Sequence, residues 1–191
     1  MARRNRFLIL VLGALIAGGV TAGIVLASSG SGGDSQTASA SGGAHFSPGK
    51  IKGKWTGTWH NVTFNTNGSI RANVQVKNNG KLLVPLVDFG GNVFGCANPP
   101  AALVSLPRGG GNNHWNNSGF KVNKFTQAFG NLHLTYDWTH KSFKGSGARP
   151  PCNPNITYTV NGTLTKSKFT ATVKIIIGPQ TATSKLTANK Q

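Results

Sequence analysis

From Gly53 to the C-terminus, apolar residues recur at every second position. Successive side chains of a β-strand face opposite sides, so this period sets one dry face against one wet face. In the first run Gly53, Trp55, Gly57 and Trp59 share one side, and Lys52, Lys54, Thr56 and Thr58 share the other. The same alternation runs through Ile70–Val76, Leu132–Trp138, Ile156–Leu164 and Phe169–Ile177. The pattern predicts half-buried antiparallel strands, about eight to ten of them, in an all-β fold. An antiparallel β-barrel and a β-sandwich both satisfy it. Asn67-Gly68, Asn79-Gly80, Asn161-Gly162 and Gly178-Pro179 are the turn signals between runs. Asn161-Gly162 lies inside an alternating stretch, which reads as a bulge or a tight hairpin. Pro85, in the apolar Lys81–Phe89 stretch, marks an edge strand or a bulge.

The first 49 residues have a different character. Arg3, Arg4 and Arg6 precede a 21-residue run without charge, Phe7–Ala27. That order reads as an apolar helix serving as a signal peptide or a transmembrane signal anchor. By the positive-inside rule the N-terminus stays in the cytoplasm and the rest is extracytoplasmic. The chain is membrane-anchored through residues 7–27 if uncleaved, and secreted if cleaved after Ala27. Residues 28–49, rich in Ser and Gly, read as a flexible linker, and residues 50–191 as the folded domain.

Charge narrows the chemistry. The 191 residues carry a net charge of +17 with only three acidic residues, Asp34, Asp88 and Asp137. Residues 50–191 keep 17 of the 20 basic residues and two of the acidic ones, a net of +15. So few carboxylates rule out most paired-carboxylate chemistry and argue against a Ca²⁺ or Mg²⁺ site. His45, His60, His114, His133 and His140 show no close zinc-ligand spacing, and no Gly-x-Ser-x-Gly elbow occurs. The sequence therefore points to no catalytic residue, no metal and no cofactor. The excess positive charge attracts anionic partners, and Lys52, Lys54, Lys166, Lys168 and Lys174 are the candidate polyanion-binding residues. Lys outnumbers Arg 14 to 3 in this domain, and Lys acts as a point charge rather than a bidentate reader. Sequence-specific nucleic-acid recognition is not expected.

Cys96 and Cys152 are the only cysteines, both in Pro-rich stretches, and an exported pair is expected to form a disulfide. The Gly/Asn-rich stretch 109–119 holds His114 and Trp115 at its centre. An aromatic on such a loop either stacks on a ligand or folds back to cover the end of the core.

The opening strand Gly53-Lys54-Trp55-Thr56-Gly57-Thr58-Trp59-His60-Asn61 resembles the first strand of calycin-type barrels, the lipocalins and avidins. The resemblance covers this strand only. It implies a barrel that holds a small ligand, with Asn61 among the contacts. The leading expectation is a non-enzymatic extracytoplasmic β-domain associating with an anionic cell-surface polymer or lipid. The alternative is a calycin-like barrel binding a small apolar ligand, and a secreted hydrolase ranks third.

Overall fold

A computed structural model describes residues 45–191. The expected apolar helix over residues 7–27 and most of the linker lie outside the described residues. No helix among the described residues is long and apolar enough to cross a membrane.

A single 3-10 turn, Pro48–Lys50, precedes the strands. The strands are β1 (Gly53–Asn61), β2 (Thr66–Lys77), β3 (Leu82–Phe89), β4 (Asn92–Val93), β5 (Cys96–Ala97), β6 (Ala102–Leu103) and β7 (Leu106–Pro107). They continue as β8 (His114–Asn116), β9 (Gly119–Thr126), β10 (Gly130–Asp137), β11 (Ser142–Ala148), β12 (Ile156–Leu164), β13 (Lys168–Ile177) and β14 (Gln180–Lys190). All ladders of the main sheet are antiparallel, in the order β6-β3-β2-β1-β14-β13-β12-β11-β10-β9-β8, with β7 also on β3. The first long strand pairs with the last, Trp59 opposite Leu186, which brings the two ends of the domain together. The strands thus form one curled half-barrel sheet instead of two stacked sheets. Its edges touch at one parallel bridge, Arg108 to Trp115, beside the Gly109 N–H to Trp115 O bond of 2.9 Å. The β4–β5 hairpin is separate from this sheet.

The alternation read from the sequence sets the inner face. Trp55, Trp59, Ile70, Val74, Tyr136, Val160, Ala171 and Leu186 are buried in one cluster. Two Asn-Gly signals behave differently from expectation. The chain turns at residues 62–65, and Asn67-Gly68 lies within β2. A Cβ on Gly68 would come within 2.5 Å of Trp59 Nε1, so glycine is needed there for close approach. Gly162 lies within β12 for the same reason, with Phe143 where its Cβ would be. Asn79-Gly80 and Gly178-Pro179 are turns, with positive φ at Asn78, Asn79, Gly80 and Gly178. Pro85 sits on the poorly covered side of the sheet, beyond which β3 meets only the two-residue strands β6 and β7.

The packed chain begins before residue 50. Phe46 is 2% exposed, and its N–H bonds Asn117 O. Its ring lies 5.6–6.2 Å from the rings of Trp115, Phe120, Tyr136 and Trp138. With Ile51 and Trp55 these residues plug the end of the half-barrel where β1 begins. Trp55 Nε1 donates to Ile51 O at 3.0 Å and the Tyr136 hydroxyl to Leu164 O at 2.7 Å, so the plug meets most of its own polar needs. Truncating a fully buried Phe leaves a cavity, so Phe46→Ala is expected to lower unfolding free energy by about 3–5 kcal/mol in denaturant titration.

Candidate functional site

Beyond the plug the inner face is not filled. An apolar cavity of about 290 Å³ lies inside the half-barrel, and its lining includes Trp59, Leu106, Val122, Leu132, Leu134, Phe143, Val160, Phe169 and Leu186. Of the plug residues, Phe120 contributes to this lining, whereas Phe46, Trp55, Trp115 and Trp138 do not. Among the described residues, no charged side chain and no histidine lines this cavity. Its polar lining is Asn61, Asn92, Ser184 and Tyr158. Asn61 and Ser184 are direct partners across β1 and β14. The Tyr158 hydroxyl donates to Phe129 O at 2.8 Å, and burial pushes its pKa up, so it stays neutral. Such a chamber favours uncharged, largely apolar guests, since an ion inside would lose its hydration without a counter-charge.

The far mouth of the cavity is edged by the β4–β5 hairpin through Asn92, Val93 and Phe94. Gly91 (φ 92°) and Gly95 (φ 86°) allow the hairpin's sharp path. Asn98 closes its stem: Gly91 N–H donates to Asn98 Oδ1 at 3.0 Å, and Asn98 N–H to Gly91 O at 2.8 Å. Phe94 stacks on Tyr158, with centroids 4.8 Å apart. The expected Cys96–Cys152 disulfide is present, with a Cα–Cα distance of 5.3 Å. It ties the hairpin to the β11–β12 connection. Phe129 packs edge-on against Phe89 beside the same mouth.

The ligand candidates read from the sequence are distributed by this architecture. Asn61 is 7% exposed and lines the cavity, yet its Oδ1 accepts the N–H groups of Thr63 and Phe64 at 3.0 Å, ordering the β1–β2 turn. Trp115 belongs to the plug at 5% exposure, with Arg108 over its ring at 5.4 Å. The aromatic of the Gly/Asn-rich stretch has therefore folded back to cover the core. His114 is half-buried, its Nδ1 2.6 Å from Gly111 O. Neither lines the cavity.

The basic residues separate by end. Lys50, Lys52, Lys54, Lys77 and Lys81 lie at or beside the plugged end. Arg108, Lys141, Lys166, Lys168 and Lys190 join them there. Of the five polyanion candidates, Lys52, Lys54, Lys166 and Lys168 are in this set, whereas Lys174 sits on β13 nearer the cavity mouth. Asp137, also at the plugged end, is held below the usual carboxylate range, chiefly by the hydrogen bond from His140, whose Nδ1 lies 2.7 Å away. The hairpin and the Phe94–Tyr158 stack were not legible in the sequence, since each depends on long-range register; a ligand-holding interior was expected through the resemblance of the first strand, without its walls or its mouth.

A wider depression of about 500 Å³ runs over the outer side of β10–β13, edged by His133, Ser146, Arg149 and Ile176. Its lining carries His133, Arg149 and strand hydroxyls, so the interior chamber, walled mostly by apolar side chains, is the stronger site for a small apolar molecule. No family model and no curated protein matches this sequence. Among solved structures, the chain is similar to the crystal structure of Rv2717c from M. tuberculosis, at 9% identity and a TM-score of 0.46. The match covers 74% of this chain and 93% of that one, and at these values assigns neither family nor activity.

Replacing both cysteines, Cys96→Ser with Cys152→Ser, is expected to cost about 4 kcal/mol by loop-closure entropy. Amide exchange should accelerate at residues 91–98 well before the plugged end responds. Equal acceleration at both ends would show that the disulfide does not hold the hairpin specifically.

Proposed function

We propose that the domain is a non-enzymatic binding barrel that holds a small, uncharged, largely apolar molecule in its interior. One observation carries this reading: a chamber walled by aliphatic and aromatic side chains persists between the aromatic plug and the tethered hairpin. A sequence selected only for a packed β core would fill such space, because each unfilled methylene volume costs stability. The calycin resemblance of the first strand agrees with this use. The apolar N-terminal run is the support for an extracytoplasmic setting. Neutral polar groups at Asn61 and Ser184 would orient a guest without demanding a charge on it.

A neutral fluorescent probe, N-phenyl-1-naphthylamine, tests the reading without interference from surface lysines. Binding with enhanced fluorescence is expected. Val160→Phe, which grows a ring into the chamber from β12, should weaken it at least about tenfold, the order of one lost apolar anchor. Val160→Ala keeps the chamber open and should bind. No enhancement with the wild-type chain, or unchanged affinity in a folded Val160→Phe protein, would overturn the proposal.

A further inference from the structure

The positive charge of this domain is not spread evenly: ten of the 17 basic residues converge on the plugged end. At its centre is Trp138, 2% exposed. The Lys141 ammonium lies 3.4 Å from its ring centroid and the Lys50 ammonium 4.5 Å away. Both ammoniums are also pinned by backbone: Lys141 Nζ donates to Trp138 O at 2.6 Å, and Lys50 Nζ to His45 O at 2.5 Å. Lys190 Nζ reaches Lys50 O at 3.4 Å. The Leu164 N–H to Lys141 O bond of 2.9 Å brings the turn that bears Lys166 alongside. Desolvation, then repulsion from Lys50 and Lys166, pushes the pKa of Lys141 down, so these charges act on one another. Among the described residues, Asp137 is the one acidic side chain at this end, and it already accepts from Thr139 and His140.

Like charges held together around one ring, with flexibility already lost to cation–π and carbonyl contacts, are preorganised for an anion. The chain also enters the domain here, since Phe46 N–H bonds Asn117 O in the β8–β9 turn. Residues 28–44 separate this point from the apolar run Phe7–Ala27. A membrane holding that run would tether the domain by its lysine-rich end, and an anionic leaflet attracts Lys.

We propose that the plugged end is a docking surface for anionic phospholipid headgroups, centred on Lys50, Lys141, Lys166 and Lys190 around Trp138. The opposite end, with the hairpin and the cavity mouth, then faces away from the lipid. Docking is independent of the cavity reading, because no residue of this lysine cluster lines the chamber.

The test uses the full chain reconstituted in phosphatidylcholine vesicles with or without phosphatidylglycerol. Lysines are acylated by a water-soluble amine reagent and read by mass spectrometry. With phosphatidylglycerol, Lys50, Lys166 and Lys190 should label about fivefold more slowly, the factor that attraction of one lysine to an anionic leaflet supplies. Lys124 and Lys174 should be unchanged, and high salt should abolish the difference. In the K50Q/K141Q chain, protection of Lys166 and Lys190 should fall. Equal labelling in both vesicles, or equal protection of Lys124 and Lys174, would overturn the proposal. Protection by inorganic phosphate alone in phosphatidylcholine vesicles would overturn the lipid assignment in favour of a free-anion site.

Discussion

Packing of Phe46 among Trp115, Phe120, Tyr136 and Trp138 is the contact on which the other features rest. A single curled sheet has an inner face that must be dried and two edges that must be kept from pairing elsewhere. The plug does both at one end. It fills the interior with large rings, and through Trp115 it sits where β8 and the segment after β7 meet. Trp115 Nε1 approaches Lys81 O at 3.4 Å, across the same junction. The segment before the first strand is therefore a structural part of the barrel.

Closing one end with rings has a consequence at the other. Nine long strands enclose more interior than their side chains fill: the rings of Phe46, Trp115, Tyr136 and Trp138 pack together near the start of β1, while those of Trp59, Phe129, Phe143, Tyr158 and Phe169 line the remaining space without closing it. The unfilled volume is displaced toward the end of β1, where only a two-stranded hairpin stands over it. Covalent attachment suits that hairpin, because two residues per strand cannot hold it by hydrogen bonds alone. Phe94 has a positive φ of 53°, an unfavourable conformation for a bulky residue, and its stack on Tyr158 offsets that cost.

The same asymmetry organises charge. Turns and strand ends on the plugged side carry most of the lysines, while the chamber is lined without charge. The two ends thus offer different surfaces, one suited to anions in water and the other to apolar molecules.

Much of the fold was legible because alternation is a local property. Burial of Trp55 and Trp59 with Lys54, Thr56 and Thr58 exposed follows from the pleat of one strand, whatever its neighbours. A disulfide between the only two cysteines was expected from their number and from the export that the N-terminal apolar run suggests. Asn67-Gly68 and Asn161-Gly162 were misleading, because glycine serves both turns and close approaches. Only the positions of Trp59 and Phe143 across the sheet decide between these uses. Trp115 was ambiguous for a similar reason: its loop looks free in sequence, and the partner that buries it, Phe46, lies almost seventy residues away. The sequence by itself determined strands, their inward faces and the sign of the charge, since each is set by neighbours along the chain. Where the lysines gather, which end is plugged and where a chamber remains were decided by tertiary structure. These depend on register and curl, which bring together residues that the chain order keeps apart.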